Sequence, residues 1–204
     1  MRETNPPRED VLRRICVFCG SSVGVRDEYR LAAESVGRYL AGQGIGVVYG
    51  GGKVGLMGVV ADTALAAGGE VIGVIPDALM RKEIGHGALT RLHVVPSMHE
   101  RKAKMAELSD AFIALPGGFG TFEEFCEVIT WSQLGLHRKP CGLLNVEDYY
   151  TPMLKMFDHA VSEGFLRAEN RRLVIADGNI ETMVEAFRSF RPATVEKWIG
   201  RKEI

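Results

Sequence analysis

Nine residues, Pro116-Gly117-Gly118-Phe119-Gly120-Thr121-Phe122-Glu123-Glu124, join the means to hold an anion with the means to move charge. Three glycines let backbone N–H groups crowd around one point. A helix that begins here adds partial positive charge at the same point. Such a turn suits a phosphate, and Gly118, Gly120 and Thr121 are its expected contacts. Two carboxylates, Glu123 and Glu124, follow at once, and a plain phosphate cradle has no use for them. Thr121-x-x-Glu124 also spells a capping box, in which the Thr hydroxyl caps a helix and the Glu reaches back to it. Both readings of Glu124, structural and chemical, stand at this point.

A second chemical group lies upstream. Ser97-Met98-His99-Glu100-Arg101-Lys102 opens with another capping box, Ser97-x-x-Glu100, so a helix starts there. Arg101 falls within its first two turns. An exposed helical arginine is the ordinary reading, yet a helix that starts at a strand end is also where anion-binding arginines sit. Glu83, in the charged stretch 78–91, is a further carboxylate; that stretch reads as a loop or short helix able to act as a lid. A solvated loop charge is its bland reading.

The elements that must position these residues alternate between strand and helix. Residues 111–115 form a short apolar run of the kind buried in parallel sheets. Phe125, Val128, Ile129 and Leu134 then recur on one helical face. A first strand over 14–19 opens into Gly20-Ser21-Ser22-Val23-Gly24, followed by a helix over 27–41. A second strand over 46–49 runs into Gly50-Gly51-Gly52-Lys53-Val54-Gly55 and a helix over 56–67. Further strands are expected over 71–76, 92–95, 140–144 and 173–176, with helices over 149–163 and 180–187. Regular alternation with right-handed crossovers predicts an α/β fold: a Rossmann-like doubly wound sheet, mostly parallel, of about six or seven strands with helices on both faces. Residues 1–13 read as a flexible N-terminal tail and 14–204 as a single nucleotide-binding catalytic domain, with 192–204 peripheral. Every Gly-rich turn follows a strand, so the turns converge on one sheet edge, where α/β proteins bind ligands. Gly20, Ser21 and Gly51 join the candidate contacts on that ground.

Several chemistries are disfavoured. Gly50 to Gly55 matches G-x-G-x-x-G, but after the second strand, whereas a dinucleotide site places it after the first; Asp77 stands roughly where the ribose-binding acid belongs. Lys53 precedes Val54, so this is not a Walker A loop. It reads as a second backbone-lined turn for a mononucleotide or its sugar. Cys16-Val-Phe-Cys19 lies within a strand, and residues three apart there face opposite ways, so the pair cannot share a metal. Cys16, Cys19, Cys126 and Cys141 read as small buried hydrophobes. A net charge of −1 argues against nucleic acid or an anionic membrane as partner. No apolar stretch reaches membrane-span length, and MRETNPPRED lacks the apolar core of a secretory signal, so a cytoplasmic location is expected.

A phosphate turn beside carboxylates and an arginine fits cleavage at the sugar carbon of a nucleotide. Breaking an N-glycosidic bond builds oxocarbenium-like positive charge on the ribose, which a carboxylate stabilises while activating water. The departing base gains negative charge, which an arginine stabilises without giving up its proton.

The motifs carry a family resemblance. PGGFGTFEE fits P-G-G-x-G-T-x-x-E, and Met98-His99-Glu100-Arg101-Lys102 fits M-H-E-R-K. With Gly50-Gly51-Gly52 and Gln133-Leu134-Gly135-Leu136-His137-Arg138-Lys139-Pro140, they resemble the LONELY GUY (LOG) family over about residues 14–190. That family comprises cytokinin riboside 5′-monophosphate phosphoribohydrolases, often mislabelled lysine decarboxylases. The resemblance implies a homodimer with sites near the subunit interface. It implies release of an adenine-type base and ribose 5-phosphate, from substrates such as AMP or isopentenyladenosine monophosphate, without metal or cofactor. The family's catalytic pair falls on Arg101 and Glu124. Its nucleotide contacts fall on Glu83, Lys102, Gly118, Phe119, Gly120, Thr121, Phe122, Glu123 and Thr130; Gly117 and Met98 lie in the same motifs. A non-catalytic nucleotide-binding or carrier protein on the same fold is the alternative. An NAD-dependent oxidoreductase rests only on the misplaced glycine match. A pyridoxal-phosphate decarboxylase would need a Schiff-base lysine, and none is singled out.

Overall fold

The apolar runs pair edge to edge into one seven-stranded sheet in the computed structural model, which describes residues 12–80 and 86–191. The strands are β1 (Arg14–Phe18), β2 (Gly46–Tyr49), β3 (Val71–Pro76), β4 (Arg91–Val95), β5 (Ala111–Ala114), β6 (Cys141–Leu144) and β7 (Val174–Asp177). Their order is β4-β3-β2-β1-β5-β6-β7, and every pairing is parallel. The expected "mostly parallel" sheet is thus parallel throughout. Residues 1–11, 81–85 and 192–204 lie outside the described residues, and with them Glu83, most of the N-terminal lead-in and the peripheral C-terminal stretch.

Among the described residues seven helices connect the strands and an eighth follows β7: α1 (Asp27–Gly42), α2 (Gly55–Ala66), α3 (Asp77–Met80), α4 (Met98–Leu108), α5 (Phe119–Gln133), α6 (Thr151–Ser162), α7 (Ala168–Arg171) and α8 (Ile180–Ser189). A 3₁₀ turn spans Val146–Asp148. α7 and this turn were not anticipated; each is too short to show a hydrophobic period.

Burial on both faces explains the near-continuous apolar strands. Ile15, Val17 and Cys19 face one core layer with α1, α2 and α8, whereas Cys16 and Phe18 face the other with α4 and α5. The two cysteines therefore do face opposite ways. Each fully buried Val or Ile in these layers contributes about 1.5–3 kcal/mol. On the first layer, a Cβ on Gly37 would meet the backbone of Val60 and Ala64, so this glycine lets α1 and α2 pack closely.

Strand order reverses between β1 and β5, which both pair in parallel with each other and run to the same edge. At such a switch point the connections diverge and leave a crevice. Here Gly20 N donates to Pro116 O at 3.1 Å, tying the two strand ends together. A cavity of about 210 Å³ opens beside this tie, between Ser22, Tyr29, Leu56, Pro116, Gly117 and Tyr149.

Candidate active site

The glycine turn after β5 ends earlier than the capping-box reading requires. α5 begins at Phe119 with Gly118 as N-cap, and no side chain caps it. Phe122 N donates to Gly118 O at 3.1 Å, closing the first turn. Thr121 thus sits inside the first turn, buried, with its hydroxyl against the α-carbon of Gly117. The Thr121–Glu124 box is not formed, and Glu124 is released from a capping role. The N–H groups of Gly118, Phe119, Gly120 and Thr121 have no intrahelical acceptor, as at any helix start, and the helix dipole favours an anion there.

Two tyrosines brace this turn. After β6, Glu147 and Asp148 both take positive φ, an arrangement costly for non-glycine residues. The turn delivers Tyr149 and Tyr150 under the glycines. Tyr149 Oη donates to Gly117 O at 2.5 Å, and Tyr150 Oη donates to Leu115 O at 2.6 Å. Phe122 packs against both rings, with centroids 6.4 and 6.3 Å away, so it supports the turn from within. Phe119 is almost wholly exposed.

Arg101 is carried by α4, whose N-cap forms as expected: Ser97 Oγ accepts from Glu100 N at 3.2 Å. Its guanidinium is fixed from three sides. Nε donates to Val74 O at 3.1 Å, and Nη2 donates to Gly50 O at 3.2 Å. Nη1 faces Glu124 Oε1 at 3.5 Å. Met98 Sδ lies 4.0 Å from the same nitrogen. The ends of β2 and β3 therefore aim the guanidinium of α4 at the carboxylate of α5. A Cβ on Gly50 would collide with Arg101 Nη2, so the seat needs glycine there. Gly50 was visible only as one of three consecutive glycines. Gly51 instead takes φ +76 and accepts from His86 N at 3.4 Å.

Both members of this pair are largely shielded, with side chains 11% and 12% exposed. Burial pushes the Glu124 carboxyl above the ordinary carboxylate range; Arg101 pulls it back, Glu123 raises it, Lys102 lowers it and Glu127 raises it again. A carboxyl so held keeps its proton to higher pH than an exposed one, and once ionised it is the stronger base.

Lys102, next on α4, reaches α5 as well. Its Nζ lies 2.6 Å from Glu123 Oε1 and 3.0 Å from Glu127 Oε1. Burial works against the ammonium, but the hydrogen bonds to Glu123 and Glu127 outweigh it and raise the pKa. The sequence places Glu127 on this helix with Cys126 and Thr130 but gives it no role; its spacing of four from Glu123 was the available signal. At the far ends of the two helices, Lys139 Nζ donates to Ala106 O of α4 at 2.6 Å, and His137 Nε2 pairs with Val128 O of α5 at 2.8 Å.

The remaining candidates divide. Gly20 bridges elements, donating to Pro116 O and accepting from Leu56 N at 3.0 Å. Ser21 packs against Gly55, whose Cβ would overlap the Ser21 backbone. Gly55 thereby serves the approach of α2 to the β1 turn, and the glycine match after β2 lies one strand away from the switch point. Thr130 does not join the pair. Its hydroxyl donates to Cys126 O at 2.7 Å, and it stands nine residues beyond Thr121, about 14 Å along the helix. Among the described residues no group of three or more His, Cys, Asp or Glu side chains could hold a metal, and no helix is long and apolar enough to cross a membrane.

Known proteins resemble this chain at two levels. Solved structures share the fold: a molybdenum cofactor carrier protein from Chlamydomonas reinhardtii has a TM-score of 0.66 at 21% identity, covering 88% of this chain and 98% of that one. A molybdenum cofactor binding protein from Rippkaea orientalis has a TM-score of 0.65 at 21% identity, over 87% and 96%. At such identities the likeness is one of fold alone. Sequence relatives are far nearer. A cytokinin riboside 5′-monophosphate phosphoribohydrolase of Rhodococcoides fascians is 52% identical over 87% of this chain and 90% of its own length. The enzyme of that name called LOG in Oryza sativa subsp. japonica is 49% identical over 91% of this chain and 76% of its own. A family model described as "possible lysine decarboxylase" matches residues 57–187. With half its residues shared along most of its length, this chain belongs to the LONELY GUY (LOG) family.

Proposed function

We propose that this protein hydrolyses the N-glycosidic bond of cytokinin riboside 5′-monophosphates and of AMP, releasing the free base and ribose 5-phosphate. The observation that carries this reading is the shielded Arg101–Glu124 pair beside the glycine turn at the sheet switch point. The names of the relatives supply the substrate class; the pair supplies the chemistry. The turn at Gly118 holds the 5′-phosphate through backbone N–H groups and the helix dipole. The bond from C1′ to the base breaks, its electron pair leaving with the base nitrogen. Arg101 stabilises that negative charge. Glu124 stabilises the positive charge on the ribose and takes a proton from the attacking water, whose oxygen bonds to C1′. The base takes up one proton in return.

The decarboxylase description finds no support in Lys102. A Schiff-base lysine is activated by losing its charge, whereas Glu123 and Glu127 hold Lys102 as an ammonium. We further propose a homodimer; exposed Met98 and Phe119 on the site's rim are the kind of apolar residues an interface covers. Light scattering should give about twice the 22.4 kDa chain mass, and an active monomer would refute the dimer.

Chromatography of products after incubation with AMP and with isopentenyladenosine monophosphate tests the main reading. Free base and ribose 5-phosphate are expected from both. Nucleotides recovered intact would leave a binding or carrier role.

A further inference from the structure

Lys102 is held by one carboxylate more than its charge requires. Glu123 and Glu127, one helical turn apart on α5, grip the ammonium from α4 like a fork. The two prongs differ. The Glu123 side chain is 56% exposed, and that of Glu127 is 24% exposed. Lys102 itself is 10% exposed. Water can replace Lys102 as the partner of an exposed carboxylate, so Glu123 can leave at little cost. A sheltered carboxylate has no such substitute. Moreover, Glu127 Oε2 is buried with no hydrogen-bond partner among the described residues. Buried acceptors are nearly always satisfied, so an exception of this kind asks for a functional reason.

We propose that Glu127 is a positioning residue: it keeps the Lys102 ammonium beside the Arg101–Glu124 pair while Glu123 turns from Lys102 to the substrate. The inference rests on the phosphoribohydrolase reading. Its logic is one of exchange. Glu123 precedes Glu124 and lies within the first two turns of α5, the helix whose start is the proposed phosphate site. If Glu123 were the only partner of Lys102, engaging the substrate would strip a shielded ammonium of its counter-ion. Glu127 removes that conflict. It also completes a local count of three carboxylates, Glu123, Glu124 and Glu127, against two cations, Arg101 and Lys102. The excess negative charge favours a transition state that gains positive charge on the sugar.

The test is a double-mutant cycle with AMP, following base release. Glu127→Gln keeps the shape and one acceptor but removes the charge. Turnover should fall about tenfold or more, as a small misplacement near the reacting groups can cause. In a Lys102→Met background the same substitution should change turnover little, because the group it positions is gone. A pH profile adds a readout that simple destabilisation would not move. The groups that interact with Glu124 are Arg101 and Lys102 from α4, Glu123 and Glu127 from α5, and the thiols of Cys16 in β1 and of Cys19 just after it. Burial keeps both thiols protonated, so Glu127→Gln changes one charge only. Losing a negative neighbour lets Glu124 ionise at lower pH, and the acid limb of the profile should move down. Should Glu127→Gln melt early, Glu127→Ser carries the same cycle. A Glu127→Gln protein with wild-type turnover and an unmoved acid limb overturns the proposal, as does an equal loss in both backgrounds. Wild-type protein that releases no base overturns the functional reading itself.

Discussion

Arg101 Nη1 faces Glu124 Oε1 at 3.5 Å, across two helices, while the other nitrogens of the same guanidinium are held by the main-chain carbonyls of Gly50 and Val74. Shielding two charges from water is expensive, and a buried pair often stabilises a fold no better than apolar residues of the same size. Stability therefore gives little reason for the pair to sit at the carboxyl edge of the sheet. Chemistry that needs a fixed positive and a fixed negative charge, side by side, gives one.

The seat of Arg101 can be tested at a residue that carries no side chain. Gly50→Ala places a Cβ where Nη2 lies. Overpacking of this kind costs about 1–3 kcal/mol. Because the guanidinium must move, turnover should fall as well, by about ten- to a hundredfold. Thermal melts and kcat measurements check both. In an Arg101→Ala background the stability loss should largely vanish. A Gly50→Ala protein with full turnover would show that the seat is not needed.

His137 gives a pH dependence with a defined sign. Burial pushes its imidazole down to about 4, with the Val128 carbonyl opposing and Lys139 assisting the shift. It stays neutral near pH 7: Nε2 donates to Val128 O, and Nδ1 accepts from Lys139 N at 3.1 Å. The unfolded chain takes up this proton first as pH falls, so stability is present above about 6.5 and lost between about 6.5 and about 4. The loss is on the order of 3 kcal/mol. Urea unfolding across this window should show it, and His137→Gln should flatten that part of the curve while lowering stability at pH 7. An equal acid loss in the variant would assign the dependence elsewhere.

Substrates that lack the 5′-phosphate probe the glycine turn. Adenosine should be cleaved far more slowly than AMP, with turnover reduced as well as affinity. Energy from the remote phosphate contact helps to orient the ribose at the reacting centre. Equal kcat on the two substrates would remove the turn from the account.

How much of this was legible depends on whether the cause was local. Gly46–Tyr49 and Val71–Pro76 were readable because a buried parallel strand is apolar at every position. Ser97 declared its helix because an N-cap acts over three residues. The Thr121–Glu124 box misled, since the Gly117-Gly118 lead-in lets the chain enter helix before Thr121. The seat on Gly50 was invisible, because a glycine and an arginine 51 positions apart meet only once β2, β3 and α4 are assembled. Tyr149 was hidden for the same reason; its hydroxyl reaches back 32 residues to Gly117. Residue chemistry and the family motifs both marked Arg101 and Glu124; that the two meet at 3.5 Å appears only once α4 and α5 are packed.

The most direct test of the central claim is turnover by Glu124→Gln. α5 starts at Phe119 without help from Glu124, so lost activity could not be ascribed to a lost cap. Glutamine keeps the size of the side chain and removes its charge and its basicity. Release of adenine from AMP should fall by about two to four orders of magnitude. AMP should still bind, measured by calorimetry, because the backbone turn at Gly118 is unchanged. A folded Glu124→Gln protein that releases adenine near the wild-type rate would contradict the account.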